Sequence, residues 1–107
     1  MDVILVGPDR GLGDALRDAG ATVTRVEGLA TADALAEAGI ADADLLVLTD
    51  PAEATAIPVA LEANPDLRVV GYTAESLPEF AVRGLERSLD PALYDPGVVA
   101  EELVSGG

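Results

Sequence analysis

Val3-Ile-Leu-Val-Gly-Pro-Asp-Arg-Gly-Leu-Gly13 reads as a buried strand ending in a glycine turn, and it runs straight into Asp14-Ala-Leu-Arg-Asp-Ala-Gly20, a short helix closed by glycine. Four consecutive branched apolar residues offer water no polar face. Both sides of the strand therefore need cover, as in a parallel sheet held between two layers of helices. A glycine turn between such a strand and a helix opens the first βα unit of a nucleotide-binding α/β fold.

The same alternation continues down the chain. Strands are expected at residues 2–6, 21–26, 44–48 and 67–72. The second alternates Val23 and Val26 with Thr22, Thr24 and Arg25, so it is the least buried of the four. Helices are expected at 12–19, at 31–38 before Gly39, and from Asp50-Pro-Ala-Glu53 onward. There Asp50 suits the N-cap, Pro51 the first helical position and Glu53 the capping-box position. Pro58 inside that third helix predicts a kink or a restart. Asn64-Pro65 ends it, and Ser76-Leu-Pro-Glu79 is a second capping box opening a fourth helix near Pro78. Residues 85–89 fit a short edge strand, Asp90-Pro91 a turn, and Asp95-Pro96 the start of a last helix ending near Val104.

This pattern predicts one domain over residues 1–107: a three-layer α/β fold, Rossmann-like, with the flavodoxin or receiver strand order 2-1-3-4 and a fifth strand beside the fourth. The stretch from Val26 to Leu35 is too short for a further helix–strand pair, so strand 3 must lie beside strand 1. Ligands of such sheets sit at the carboxyl ends of the strands, near the switch in strand order. The loops to watch are 7–13, 27–30, 49–53 and 73–76.

Composition narrows the chemistry. The chain has no cysteine and no histidine, which removes disulfides, thiolate nucleophiles, imidazole bases and the usual zinc sites. Any metal would be held by oxygen ligands alone. No apolar run approaches the ~20 residues of a membrane span, and no basic leader precedes the first strand, so a cytoplasmic protein without a membrane partner is expected. Twenty acidic residues face six basic ones, all arginine, for a net charge of −14. The arginines are scattered and only Phe80, Tyr72 and Tyr94 are aromatic. A nucleic-acid partner is therefore not expected, because phosphate contacts need a basic stripe and bases need a stacking platform.

The candidate ligand site is the first turn. Backbone N–H groups of Gly7, Gly11, Leu12 and Gly13 could approach a diphosphate, with Arg10 as the nearby cation, while Asp9 places a negative charge in the same turn. Glu27 lies 20 residues after Gly7 and closes strand 2, where an acidic side chain can accept the hydroxyls of a ribose. Thr49 and Asp50 close strand 3 beside this turn. NAD or ATP would be the type of cofactor such a site takes.

Four resemblances add to this reading. Arg10-Gly-Leu-Gly13 is similar to the cofactor turn of short-chain dehydrogenases, but neither Tyr72 nor Tyr94 has the lysine four residues on that their active site requires. Ala38-Gly-Ile-Ala-Asp-Ala-Asp-Leu-Leu-Val-Leu-Thr-Asp50, with Asn64-Pro-Asp-Leu-Arg-Val-Val70, resembles the second half of the RCK domain, the nucleotide-binding regulator of potassium channels, with one helix–strand pair missing. The whole chain resembles a degenerate response-regulator receiver, with Tyr72-Thr73-Ala74 standing for the family's Leu-Thr-Ala. In that resemblance Gly7-Pro8 replaces the acidic pair after strand 1, leaving Asp9. Thr49 falls near the phospho-acceptor position with Asp50 one later, and no lysine exists to contact an acyl phosphate. The chain also resembles short haloarchaeal proteins, some of which carry a CTP synthetase label. It has no G-x-x-x-x-G-K-[ST] loop and no glutaminase cysteine to support that activity.

The expected function is a small salt-adapted regulatory or ligand-binding module, not an enzyme, with a nucleotide or other small molecule at the glycine turn. One alternative is a phosphorylation-incompetent pseudo-receiver working through a protein partner or a homodimer, with helix 4 and the edge near residues 85–89 as its face. A second is a Mg-dependent enzyme using Asp9 or Asp50 on a phosphorylated small molecule. The charge gives a direct expectation. Repulsion within a −14 chain is screened when the Debye length falls to about 3 Å at ~1 M salt, so the thermal midpoint should climb steeply from dilute buffer to molar KCl. A midpoint that is flat or falls with salt would refute salt adaptation.

Overall fold

The computed structural model describes residues 1–105 and contains one five-stranded sheet, every strand parallel to its neighbour, in the order β2-β1-β3-β4-β5. The strands are β1 (Asp2–Val6), β2 (Thr22–Val26), β3 (Leu45–Leu48), β4 (Arg68–Tyr72) and β5 (Arg87–Leu89). The helices are α1 (Leu12–Asp18), α2 (Ala32–Glu37), α3 (Ala56–Ala63), α4 (Glu79–Val82) and α5 (Pro96–Ser105). The expected strand order therefore holds, including the fifth strand.

The register explains the apolar runs. Val6 pairs with Val26 on one side and Leu48 on the other, so β1 is flanked along its length and its side chains alternate between two cores. Ile4 and Val6 point with Leu46, Leu48 and Val69 into the layer formed by α2, α3 and α4. Val3 and Leu5 point with Leu45, Val47 and Val70 into the layer formed by α1 and α5. All four residues of β3 are fully buried, which is why Leu-Leu-Val-Leu carries no polar position. β2 lies at the edge, and Thr22, Thr24 and Arg25 face solvent as its alternation implies.

Both expected capping boxes are corrected. Asp50 does cap, its Oδ1 accepting the Ala52 N–H at 2.9 Å, but Glu53 turns away and accepts the Ala30 N–H at 2.7 Å. The segment opens as a 3-10 turn over Pro51–Glu53 and restarts as α3 at Ala56. Pro58 is thus the third residue of α3, in the first turn, where a missing N–H costs no intrahelical bond. Ser76 caps nothing on α4, a single turn entered at Pro78.

Asn64 clamps the end of α3 to the turn before β3. At the end of α3 its Nδ2 donates to the Ile40 carbonyl at 3.0 Å and the Ala43 carbonyl at 2.9 Å, fixing the turn that feeds β3. Asn64→Ala should therefore lower the unfolding free energy by about 1–3 kcal/mol, because the Ala43 carbonyl loses the amide donor and the Ile40 carbonyl keeps only the Ala43 N–H. Denaturant titration in molar KCl reads this, and an unchanged midpoint would remove the clamp from the account.

Candidate functional site

The carboxyl ends of β1 and β3 meet at Gly7. Its backbone is left-handed, with φ +108°, and a Cβ there would lie 2.5 Å from Thr49 Oγ1 and 2.8 Å from the Asp50 backbone nitrogen. Only glycine permits this approach. Thr49 is fully buried, and its hydroxyl donates to the Pro8 carbonyl at 2.6 Å with the Val6 carbonyl 3.3 Å away. The same residue's N–H donates to the Val6 carbonyl at 2.9 Å. A hydroxyl has one proton to give, so this one is spent inside the protein.

The rest of the glycine turn is organised by Asp9. Arg10 (φ 53°) and Gly11 (φ 81°) are consecutive left-handed residues that reverse the chain at the head of α1. The Asp9 carbonyl then accepts the Leu12 N–H at 2.9 Å, and its carboxylate accepts the Gly13 N–H at 3.2 Å. A Cβ on Gly13 would run into that carboxylate. Two of the N–H groups expected to face a diphosphate are therefore bonded to Asp9, whose charge also suits the positive end of a helix. Leu12 itself is a core side chain.

A shallow cleft of about 440 Å³ opens on the β2 side of this junction, walled by Gly7, Pro8, Glu27, Asp50 and Glu53. Arg25, at the end of β2, is its one cation. The Arg25 Nε donates to the Gly7 carbonyl at 3.2 Å, and its guanidinium lies 3.6 Å from the Glu27 carboxylate. Gly7, Glu27 and Asp50 thus share the cleft. Asp9, Arg10, Gly11, Leu12 and Gly13 do not line it, and Gly11 sits instead against Pro96 at the start of α5. With three carboxylates against one engaged arginine, the cleft repels anions. Among the described residues no three acidic side chains are grouped as metal ligands. Arg25 and Glu53 escape a sequence reading because their partners, Gly7 and Ala30, are distant in the chain.

The β4 side is equally self-contained. The Tyr72 ring is buried and its hydroxyl donates to the Tyr94 carbonyl at 2.7 Å. Burial first, and then the Asp95 carboxylate, push the phenol above its ordinary value, with Arg10 pulling the other way. Thr73 is buried as well; its N–H donates to the Leu89 carbonyl at 3.0 Å and its Oγ1 accepts the Glu75 N–H at 3.2 Å. Apolar surface is exposed elsewhere, at Phe80 and Val82 on α4 and at Leu93, Tyr94 and Val98 around the start of α5.

Thr49→Val tests the junction. It keeps the shape of the side chain but removes the hydrogen bond to the Pro8 carbonyl, so stability should fall by about 0.5–1.5 kcal/mol. A neutral result in a denaturant titration would mean that the hydroxyl does not hold the two loops together.

The fold is similar to those of known structures. A protein assigned to pilus assembly, CpaE, from Burkholderia thailandensis superposes with a TM-score of 0.70 and 24% identity, covering 98% of this chain and 96% of the other. A pilus assembly-related protein from Burkholderia pseudomallei gives 0.70 and 23%, covering 98% and 87%. An orphan response regulator of H. pylori gives 0.74 and 15%, covering 98% and 94%. At these identities the likeness establishes a receiver-like α/β fold. No curated protein sequence matches the chain. The sequence profile of DUF7126, described as a family of unknown function, matches residues 3–103, and the chain belongs to that family.

Proposed function

We propose that this protein is a pseudo-receiver, a receiver-fold module that acts through protein contacts without phosphoryl transfer. The observation that carries this reading is the internal use of every group that such chemistry would need. Thr49, near the acceptor position, gives its proton to Pro8; Asp9 caps α1; Asp50 caps the turn after β3. No lysine is available anywhere in the chain. Contact surface, by comparison, is plentiful on α4, where Phe80 and Val82 are half exposed on either side of the buried Ala81.

Two experiments test it. Acetyl phosphate with Mg²⁺, and NAD, NADP, ATP and CTP at millimolar concentration in molar KCl, should leave the amide resonances of residues 7–13, 49 and 50 and the protein mass unchanged. A photo-crosslinking residue at position 80 in the producing cells should form a discrete adduct, and one at position 24, on the opposite sheet edge, none. Covalent phosphate would overturn the reading. Saturable shifts at residues 7–13 that are lost in Gly11→Val would replace it with nucleotide binding at the turn. Equal adducts from both positions, or none from either, would remove α4 as a contact face.

A further inference from the structure

The distribution of charge singles out one edge of the molecule. Between residues 76 and 89 two arginines balance two glutamates, so the entire −14 is carried by the rest of the chain. Glu86 is already held by the Arg68 guanidinium at 3.0 Å, which leaves Arg83 and Arg87 exposed and without an ion-pair partner among the described residues. Arg83 directly follows α4, whose Phe80 and Val82 are 50% and 51% exposed, and Arg87 opens the edge strand β5. In a chain this acidic, guanidinium groups next to bare apolar side chains call for a partner with carboxylates around an apolar floor.

The chain itself carries such a surface. On the opposite face of the sheet, α1 and α5 pack side by side and leave two adjoining hollows of about 500 and 430 Å³ that share Ala19, Val98 and Glu101. Val98, 52% exposed, and the half-buried Ala19 and Val104 form the floor. Asp18, Glu101 and Glu102 form the rim; no arginine lines it, and none of the three has an ion-pair partner among the described residues.

The geometry points to a second copy of this chain as the partner: the α4–β5 edge of one molecule seats in the α1–α5 groove of the next. The inference rests on the protein-contact reading above and names its partner. Because α4 and the α1–α5 pair cover opposite faces of the sheet, the two surfaces differ and the contact is head-to-tail. It propagates into a ring or a filament and does not close as a two-fold dimer. The net charge opposes it in dilute buffer, while pairs in contact are short-range. Association should therefore strengthen as salt first rises and weaken again toward ~1 M, where the Debye length is about 3 Å.

Sedimentation equilibrium of the full chain up to ~1 mM, at KCl from about 0.15 to 1 M, tests this. Wild type should form species beyond dimer. R83E/R87E should associate at least about tenfold more weakly, because like charges then face each other, and E101R/E102R should do the same from the other side. An equimolar mixture of the two variants should regain association, since each supplies the surface the other lacks. If either charge reversal unfolds the protein, R83Q/R87Q and E101Q/E102Q take their place, each expected to weaken association. A monomeric wild type, an assembly that stops at two copies, or variants that associate as well as wild type would overturn the proposal. None of these results bears on the phosphate and nucleotide titrations, which test the pseudo-receiver reading separately.

Discussion

The hydrogen bond from the buried Thr49 hydroxyl to the Pro8 carbonyl is the constraint on which the rest of the upper surface depends. It joins the two central strands where their order switches, the position at which this class of sheet ordinarily opens to a ligand. Closing it requires a residue without a side chain at position 7, a short hydroxyl at 49 and a loop after β3 that begins its cap at once. All three are present. Once the junction is closed, Asp9 has the head of α1 to itself, and the cleft that remains is displaced toward β2 and sets three carboxylates against one arginine.

What the sequence makes legible follows from the range over which each signal acts. The strands are visible because burial on both faces leaves only apolar residues, and β3 is the clearest case. Strand order is visible because the stretch between Val26 and Leu35 has no room for another helix and strand. The capping boxes mislead for the opposite reason. Glu53 has a suitable N–H close by in sequence but a better-placed one at Ala30, and nothing local to residues 50–53 reveals it. Ser76 and Glu79 have the right spacing, yet the chain reaches α4 through Pro78 and the helix is one turn long.

The glycine turn shows how far a motif can be read. Its glycines are needed, but Gly7 makes room for Thr49 and Gly13 for the Asp9 carboxylate. Spacing alone does not distinguish a glycine that admits a phosphate from one that admits the protein's own oxygen. The acidic residue inside the turn is the sign of the difference, because a carboxylate can occupy the place of an anion at a helix start. Arg25 and Glu27 make a similar point, since they engage each other at 3.6 Å across the end of β2, where a ribose contact would lie.

An all-parallel sheet has no hairpin, and this shapes how the chain reaches its native state. The pairing of Val6 with Leu48 closes a loop that holds two helices and β2, and the pairing of β3 with β4 closes one that holds α3. Every strand contact closes a long loop before any of them is rewarded, which places the protein among slow folders for its size. The apolar centre of the sheet is meanwhile exposed on a partly folded chain, the situation in which neighbouring chains aggregate. A net charge of −14 opposes that aggregation, because like-charged chains repel one another.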